Sequence, residues 1–269
     1  MLNARYGMGL GLDLLREARL RAALPLLIKP INYWRTAEYQ AVWDQADFRP
    51  SDQILDVGSP KLLAVYLAER LGAQVCATDI HPYFIATLTA LRRLRRIPDA
   101  RLRLQVEDAR ALSFPDASFN KAYSISVLEH IPDDGDSLAT RQLGRVLTPG
   151  GRCVLTVPFA PAPRDEYRDG GFYWSAWSSR GTQGVFYQRR YDEESLHRRL
   201  IAPSGLALVR LGYIGERGPH WGTHELADYL PALSGPVQPL LSELFHTPLA
   251  DSWRDVQRPL CAVVVLEKP

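Results

Sequence analysis

From residue 53 onward the chain alternates between short apolar runs and longer amphipathic stretches. Residues 53–57, 74–78, 102–106, 121–126 and 152–157 read as strands. Between them, residues 60–71, 82–96 and 137–147 repeat apolar side chains at helical spacing. Gly72 follows the first helix where a C-terminal glycine belongs, and Pro98 stops the second. Thr148-Pro149-Gly150-Gly151 reads as a turn, residues 192–201 as a helix, and residues 206–213 and 260–266 as the last strands. Strands separated by helices of this length imply βαβ units. Right-handed crossovers then give an α/β fold, a doubly wound and largely parallel sheet covered on both faces.

Three segments break the rhythm. Residues 1–50 are leucine-rich, basic and helical, with Pro25 and Pro30 as interruptions and a second helical stretch from Thr36 to Asp47. They are expected to form an N-terminal cap that packs over the ligand site. Residues 159–191 are rich in Gly, Ser, Trp and Tyr, and residues 214–258 in Pro, His and aromatics. Structureless insertions of that length inside a domain usually serve as lids or binding loops. The expected division is a helical cap at 1–50 and one domain at 51–269 carrying two substrate-side insertions.

Composition narrows this picture. The chain has 269 residues, 46% hydrophobic and 23% charged, with a formal net charge of +2. That excludes wholesale disorder and argues against a general nucleic-acid coat. Cys76, Cys153 and Cys261 are sparse and lie in apolar runs, which points to buried, reduced thiols and a cytoplasmic setting. No apolar run reaches the ~18 residues needed to span a bilayer, and the N-terminus lacks the pattern of a secretory signal.

In open α/β sheets ligands bind beyond the carboxyl ends of the strands, so those residues carry the chemistry. The first strand ends in Asp56-Val57-Gly58-Ser59-Pro60, where Gly58 permits close backbone approach and Pro60 suits the first helical position. Asp79 closes the second strand, where an acid suits a pair of ribose hydroxyls. Glu107-Asp108-Ala109 follows the third strand, and Ser126-Val127-Leu128-Glu129-His130 the fourth.

Together with Ile54-Leu55, Phe114-Pro115-Asp116-Ala117-Ser118-Phe119, Ile131-Pro132 and Arg145-Val146-Leu147-Thr148-Pro149-Gly150-Gly151, these motifs resemble the class I S-adenosylmethionine-dependent methyltransferases, near the type-11 group. The resemblance spans residues 50–215 and the last strand. It implies a Rossmann-like sheet of seven strands, the last antiparallel. It implies that Asp56 and Gly58 face the methionine part of S-adenosyl-L-methionine. Asp79 would take the ribose hydroxyls and Ile80 the adenine face. Asp108 would take the adenine amine, with the Ala109 backbone beside the ring and the Ser126 backbone near the cofactor's amino group. The chain departs from the pattern where Pro60 and Leu62 replace glycines and Asn120 replaces an aspartate. This cofactor has no pyrophosphate to cradle, so one close-approach glycine suffices, whereas a nicotinamide dinucleotide would need more.

His130 stands where the transferred methyl should lie and is the candidate catalytic base; the alternative is a packing role. Asp56 could instead bond loop N–H groups, and Asp79 or Asp108 could cap the turns that follow them. The aromatics Tyr167, Phe172, Tyr173, Trp174, Trp177, Phe186 and Tyr187 would wall a substrate pocket or form a satellite core. Tyr33, Trp34 and Arg35 are candidates to close over the cofactor. The run Arg92, Arg93, Arg95, Arg96, Arg101 and Arg103 reads as a solvated helix face. His220 and His224 flank Trp221-Gly222-Thr223, a poor helix, so no metal site is expected. The expected activity is methyl transfer to a small organic acceptor, a hydroxyl being preferred. Two other readings remain: a non-catalytic scaffold of the same fold, and a lipid or quinone methyltransferase working at a membrane surface through the basic N-terminus. Nucleic acid is not an expected partner, and oligomeric state is left open.

Overall fold

Ile54 and Leu55 are both completely buried, yet they belong to different apolar clusters. The same split separates Val263 from Val264. Side chains alternate across a strand, so two clusters sharing the same strands mean a sheet with a core on each face. The computed structural model of the chain describes residues 2–16, 24, 27, 31, 33–168, 180–181, 184–217 and 238–269.

In chain order the elements begin with helices α1 (Leu2–Arg16) and α2 (Tyr33–Ala46). Next come β1 (Gln53–Val57), α3 (Leu62–Tyr66) with a π-helical turn at Leu67–Leu71, β2 (Gln74–Asp79) and α4 (Pro82–Leu94). The core continues through β3 (Leu102–Val106), β4 (Phe119–Ile125), α5 (Gly135–Val146) and β5 (Leu147–Pro158). Strands β6 (Arg164–Arg168), β7 (Arg180–Gly181) and β8 (Gly184–Arg190) precede α6 (Glu193–Leu196) and β9 (Ala207–Gly215). Helix α7 (Gln238–Phe245) and strand β10 (Pro259–Glu267) complete the order.

Seven strands form one sheet in the order β3-β2-β1-β4-β5-β10-β9. The pairs from β3 to β5 are parallel, and β10 runs antiparallel to both β5 and β9. This is the doubly wound sheet with an antiparallel last strand. Strand order reverses between β1 and β4, and the cleft at that switch point is where a ligand fits.

Several local expectations need correction. The helix after β1 begins at Leu62, not Pro60. Pro60 instead turns its carbonyl toward the Tyr39 hydroxyl, which donates to it at 2.8 Å. Residues 148–151 lie within β5, where a register shift against β4 and Gly150 at φ 72° absorb the turn-like sequence. Helix α1 does not cover the ligand site: Leu10 and Leu14 join the buried cluster that holds Leu62 and Leu63, and Tyr6 stacks edge-on against Tyr66. Arg95 is tied to Asp13 at 2.6 Å and Glu69 at 2.5 Å, and Arg92 to Asp99 at 3.1 Å, so the basic run is partly spent on internal pairs. All three cysteines are free and buried.

The first insertion is not structureless. Strands β6, β8 and β7 form an antiparallel sheet of their own. It is fastened to α5 by a buried ionic cluster around Asp136, which is fully buried. Its carboxylate receives Arg189 at 2.9 Å, Arg199 at 2.8 Å and the Tyr191 hydroxyl at 2.8 Å. Arg189 also reaches Asp165 on β6 at 2.9 Å, so one residue of β8 joins the small sheet to the main fold. Among the described residues no helix is long and apolar enough to cross a membrane.

Candidate active site

The β1 loop is set by backbone geometry. Gly58 has φ 66°, and a Cβ there would sit 2.9 Å from Val127 Cγ1, so the position demands glycine. Its N–H donates to the Thr78 carbonyl at 2.9 Å, joining the loop to the end of β2. The Ser59 hydroxyl accepts from Ile125 N–H at 3.0 Å, which joins it to β4. Asp56 lies beneath this loop, almost fully buried, and accepts from Ser59 N–H at 3.1 Å. Burial raises its carboxyl to about 6, against the opposing pull of Ser59 and Lys61.

Above the loop is a cavity of about 380 Å³ at the carboxyl ends of β1, β2 and β4. Gly58, Asp79, Ile80, Ala109, Ser126 and His130 line it. Asp79 accepts from His81 N–H at 2.9 Å and from Lys61 Nζ at 2.9 Å. Lys61 also lies over the Phe84 ring, 4.5 Å from its centroid. Two of the expected site residues are not in the lining. Asp56 is held under the loop. Asp108 caps the turn at Ala109–Ala111 through Arg110 N–H at 2.9 Å and grips the Arg110 guanidinium at 2.7 Å. Partial burial works against its ionisation, but hydrogen bonds and charge from Arg110 outweigh it and hold the carboxyl below the usual range. Glu107 lines the cavity in its place.

A second chamber, about 460 Å³, adjoins the first and shares Arg35, Ser126 and His130 with it. Tyr33 and Trp34 line this chamber rather than the first, and so does Tyr187. Tyr167 and Phe186 instead stack on each other at 5.9 Å. The aromatic group thus divides between pocket and packing. Phe172, Tyr173, Trp174, Trp177, His220 and His224 lie outside the described residues.

Two buried acids at the junction are given no role by the sequence pattern. Glu38 receives Arg35 at 2.6 Å, the Thr156 hydroxyl at 2.9 Å and the Ser126 hydroxyl. The i, i+3 spacing of Arg35 and Glu38 on a helix is the signal that could have found it. Ser126 takes a left-handed φ of 48° while its N–H donates to Thr156 at 2.9 Å. Glu129 is almost fully buried, and its Oε2 has no hydrogen-bond partner among the described residues. Burial pushes it up to about 8; its own backbone N–H and the charge of Arg35 offset only part of that. Its signal is a carboxylate set directly after Val127-Leu128.

His130 donates from Nδ1 to the Tyr187 carbonyl at 2.6 Å, since a carbonyl can only accept. The lone pair is therefore on Nε2, 3.8 Å from a Glu129 oxygen. Burial lowers the imidazole to about 4, with Arg35 and Arg168 adding to the effect, so it is neutral at physiological pH.

Comparison with known proteins agrees with this architecture. Residues 55–155 match the profile of the methyltransferase domain family. Residues 55–155 carry a domain of that family.

The methyltransferase domain is 42% identical over 108 residues to 27-O-demethylrifamycin SV methyltransferase of Amycolatopsis mediterranei, covering 40% of this chain and 39% of that protein. The chain spans between about a quarter and about half of the length of the curated relatives it matches. Among solved structures, Haemonchus contortus phosphoethanolamine N-methyltransferase 2, in complex with S-adenosyl-L-methionine, superposes with a TM-score of 0.55 at 18% identity, over 86% of this chain and 52% of that one. The [4+2]-cyclase SpnF superposes with a TM-score of 0.56 at 18% identity, over 86% of this chain and 79% of its own. At such identities the superpositions speak for the fold.

The residues present fit S-adenosylmethionine. A carboxylate ends β2 beside apolar Ile80, a glycine loop is drawn tight, and the cavity falls within the ~300–1,000 Å³ of ligand clefts. Asp79 already holds Lys61, but a carboxylate has about four acceptor positions and can add ribose hydroxyls.

Proposed function

We propose that the chain transfers a methyl group from S-adenosylmethionine to a hydroxyl of a small organic acceptor seated in the second chamber. The observation that carries this reading is the junction, where Arg35, Ser126 and His130 line both cavities. The cofactor supplies an already activated methyl, so the protein's task is alignment and management of one proton. Gly58, Asp79, Ile80 and the Ala109 and Ser126 backbones hold the cofactor in this reading, and Asp56 stiffens the loop from below. Asp108, held by Arg110, would have to exchange that partner to reach an adenine amine. At the junction His130 Nε2 accepts the acceptor's proton as its oxygen takes the methyl. The products are the methyl ether and S-adenosylhomocysteine, with the proton on the imidazole. Neighbouring Glu129 stabilises that imidazolium when ionised.

A second reading, a protein of this fold that transfers no methyl, is favoured by the Lys61 ammonium on Asp79. Calorimetric titration with S-adenosylmethionine and S-adenosylhomocysteine separates the two. Methyl transfer requires binding of both. No heat from either at millimolar concentration sinks it and leaves the scaffold reading.

A further inference from the structure

The second chamber brings together charges from elements far apart in sequence: Arg35, Glu38, Glu129, Arg168, Arg190 and Glu216. Most are matched within the protein. Arg35 pairs with Glu38 at 2.6 Å, Arg190 with Glu166 at 2.6 Å, and Glu216 with Arg258 at 3.8 Å. Glu129, pushed up to about 8 by burial, is protonated at neutral pH and sets no negative charge against an incoming anion. Arg168 is the exception. Its exposed side chain makes no hydrogen bond or ion pair among the described residues, and its guanidinium lies over the Tyr187 ring, 3.5 Å from the centroid. A guanidinium stacked by its face keeps its N–H edge for an in-plane, bidentate partner. The arrangement also ties this cation to the reacting end of the site. The Tyr187 ring meets the His130 ring at 5.3 Å, and its carbonyl fixes the His130 tautomer.

We infer that the acceptor chamber selects small hydroxylated acceptors carrying an anionic oxygen group, a carboxylate or a phosphate, and that Arg168 binds that group. The inference rests on the methyl-transfer reading for the hydroxyl and on the chamber's charge balance for the anion. An acceptor held by Arg168 along one side of Tyr187 places its far end toward His130 Nε2. A neutral acceptor offers the stacked guanidinium no opposite charge, and a cationic acceptor meets repulsion from it.

The test uses the full chain with saturating S-adenosylhomocysteine, which has no methyl to give, and three probes without an alcohol or phenol hydroxyl: benzoate, phenyl phosphate and neutral benzamide. Binding is read by calorimetry. Either anion should bind at least about fivefold more tightly than benzamide, the low end for a charge-assisted contact. The tighter of the two anions identifies the source of the charge. Arg168→Gln should remove the preference while leaving S-adenosylhomocysteine affinity unchanged. Turnover should follow, with 3,4-dihydroxybenzoate favoured over 3,4-dihydroxybenzamide only while Arg168 is present. Benzamide binding as tightly as the anions, an anion preference that survives Arg168→Gln, or no probe binding at millimolar concentration overturns the inference. Anion binding that depends on Arg168 in a chain unable to bind S-adenosylhomocysteine keeps the anion site and discards the methyl-transfer reading alone.

Discussion

The two cavities that meet at His130 are built in different ways. The first draws its lining mostly from the carboxyl ends of adjacent parallel strands, and each contribution is a short stretch of consecutive residues. The second is assembled from elements far apart in sequence: α2, the β4 loop, the end of β5, the small sheet, Glu216 just after β9, the start of α7, and β10. Backbone geometry and hydrogen bonds to the strand ends fix the first, Gly58 N–H donating to the Thr78 carbonyl and Ile125 N–H to the Ser59 hydroxyl. Ion pairs fix the second, and one of them runs through Asp136 at the root of the small sheet. A fold can therefore keep its cofactor site while its acceptor chamber varies. The first rests mainly on the seven-stranded sheet, whereas the second depends on the small sheet as well.

The sharpest way to break this contrast is Asp136→Ala. Removing that carboxylate leaves Arg189, Arg199 and Tyr191 facing one another in a buried site, at an expected cost of about 3–5 kcal/mol. Urea denaturation should show the loss, with Asp136→Asn milder. Below the unfolding transition, S-adenosylhomocysteine affinity should be nearly kept. If Asp136→Ala costs less than about 1 kcal/mol, the range of an exposed ion pair, the cluster does not hold the small sheet.

A smaller effect is expected from the buried acid at the junction. Folding raises Glu129 from its ordinary value to about 8. Its contribution to stability is thus fully present below the unfolded value and is lost as pH rises through about 8. His130, lowered to about 4, behaves oppositely: its contribution is present above its ordinary value and lost as pH falls toward 4. Arg35, Glu38, Ser126 and Arg168 are the other polar groups acting on this pair. Glu129→Gln should therefore gain stability over the unaltered protein between pH 5 and 8, on the order of 2 kcal/mol. Turnover of the unaltered protein should rise as Glu129 ionises, and Glu129→Gln should flatten that rise. A variant whose stability difference does not change with pH would remove Glu129 as a titrating group.

The smallest effect belongs to the strand-end cavity. Asp79→Ala should weaken S-adenosylmethionine about tenfold, roughly 1.4 kcal/mol, the scale of one charge-assisted hydrogen bond. Calorimetry showing unchanged affinity would mean that Asp79 does not carry the ribose.

Much of the core is legible in the residue order. The strands at β1, β2 and β3, the stop at Gly72 and the order of the strand-end motifs all follow from local periodicity and turn chemistry. Gly58, Asp79, Ile80, Ala109, Ser126 and His130 are picked out by their positions after strands, and they come together around one cavity. Position alone assigns Asp108 to a ligand. Its competitor, Arg110 two residues away, is visible in the sequence, but whether it turns back on the carboxylate is a matter of side-chain geometry. Glu38 and Glu129 escape a reading by pattern because a charged residue in an amphipathic stretch ordinarily faces water.

Residue order encodes the doubly wound core and sets Gly58, Asp79, Ile80, Ala109, Ser126 and His130 at its strand ends. Hydrophobic period, glycine placement and residue order are local, and the right-handed crossover rule converts them into one topology. The tertiary structure alone decided the second chamber. Residues 35, 129, 168 and 216 become neighbours only when α2, the small sheet and the ends of β9 and β10 close over the β4 loop. It also decided their charge: the same closure takes Glu129 and His130 out of water, and burial makes one a proton donor and the other a neutral acceptor.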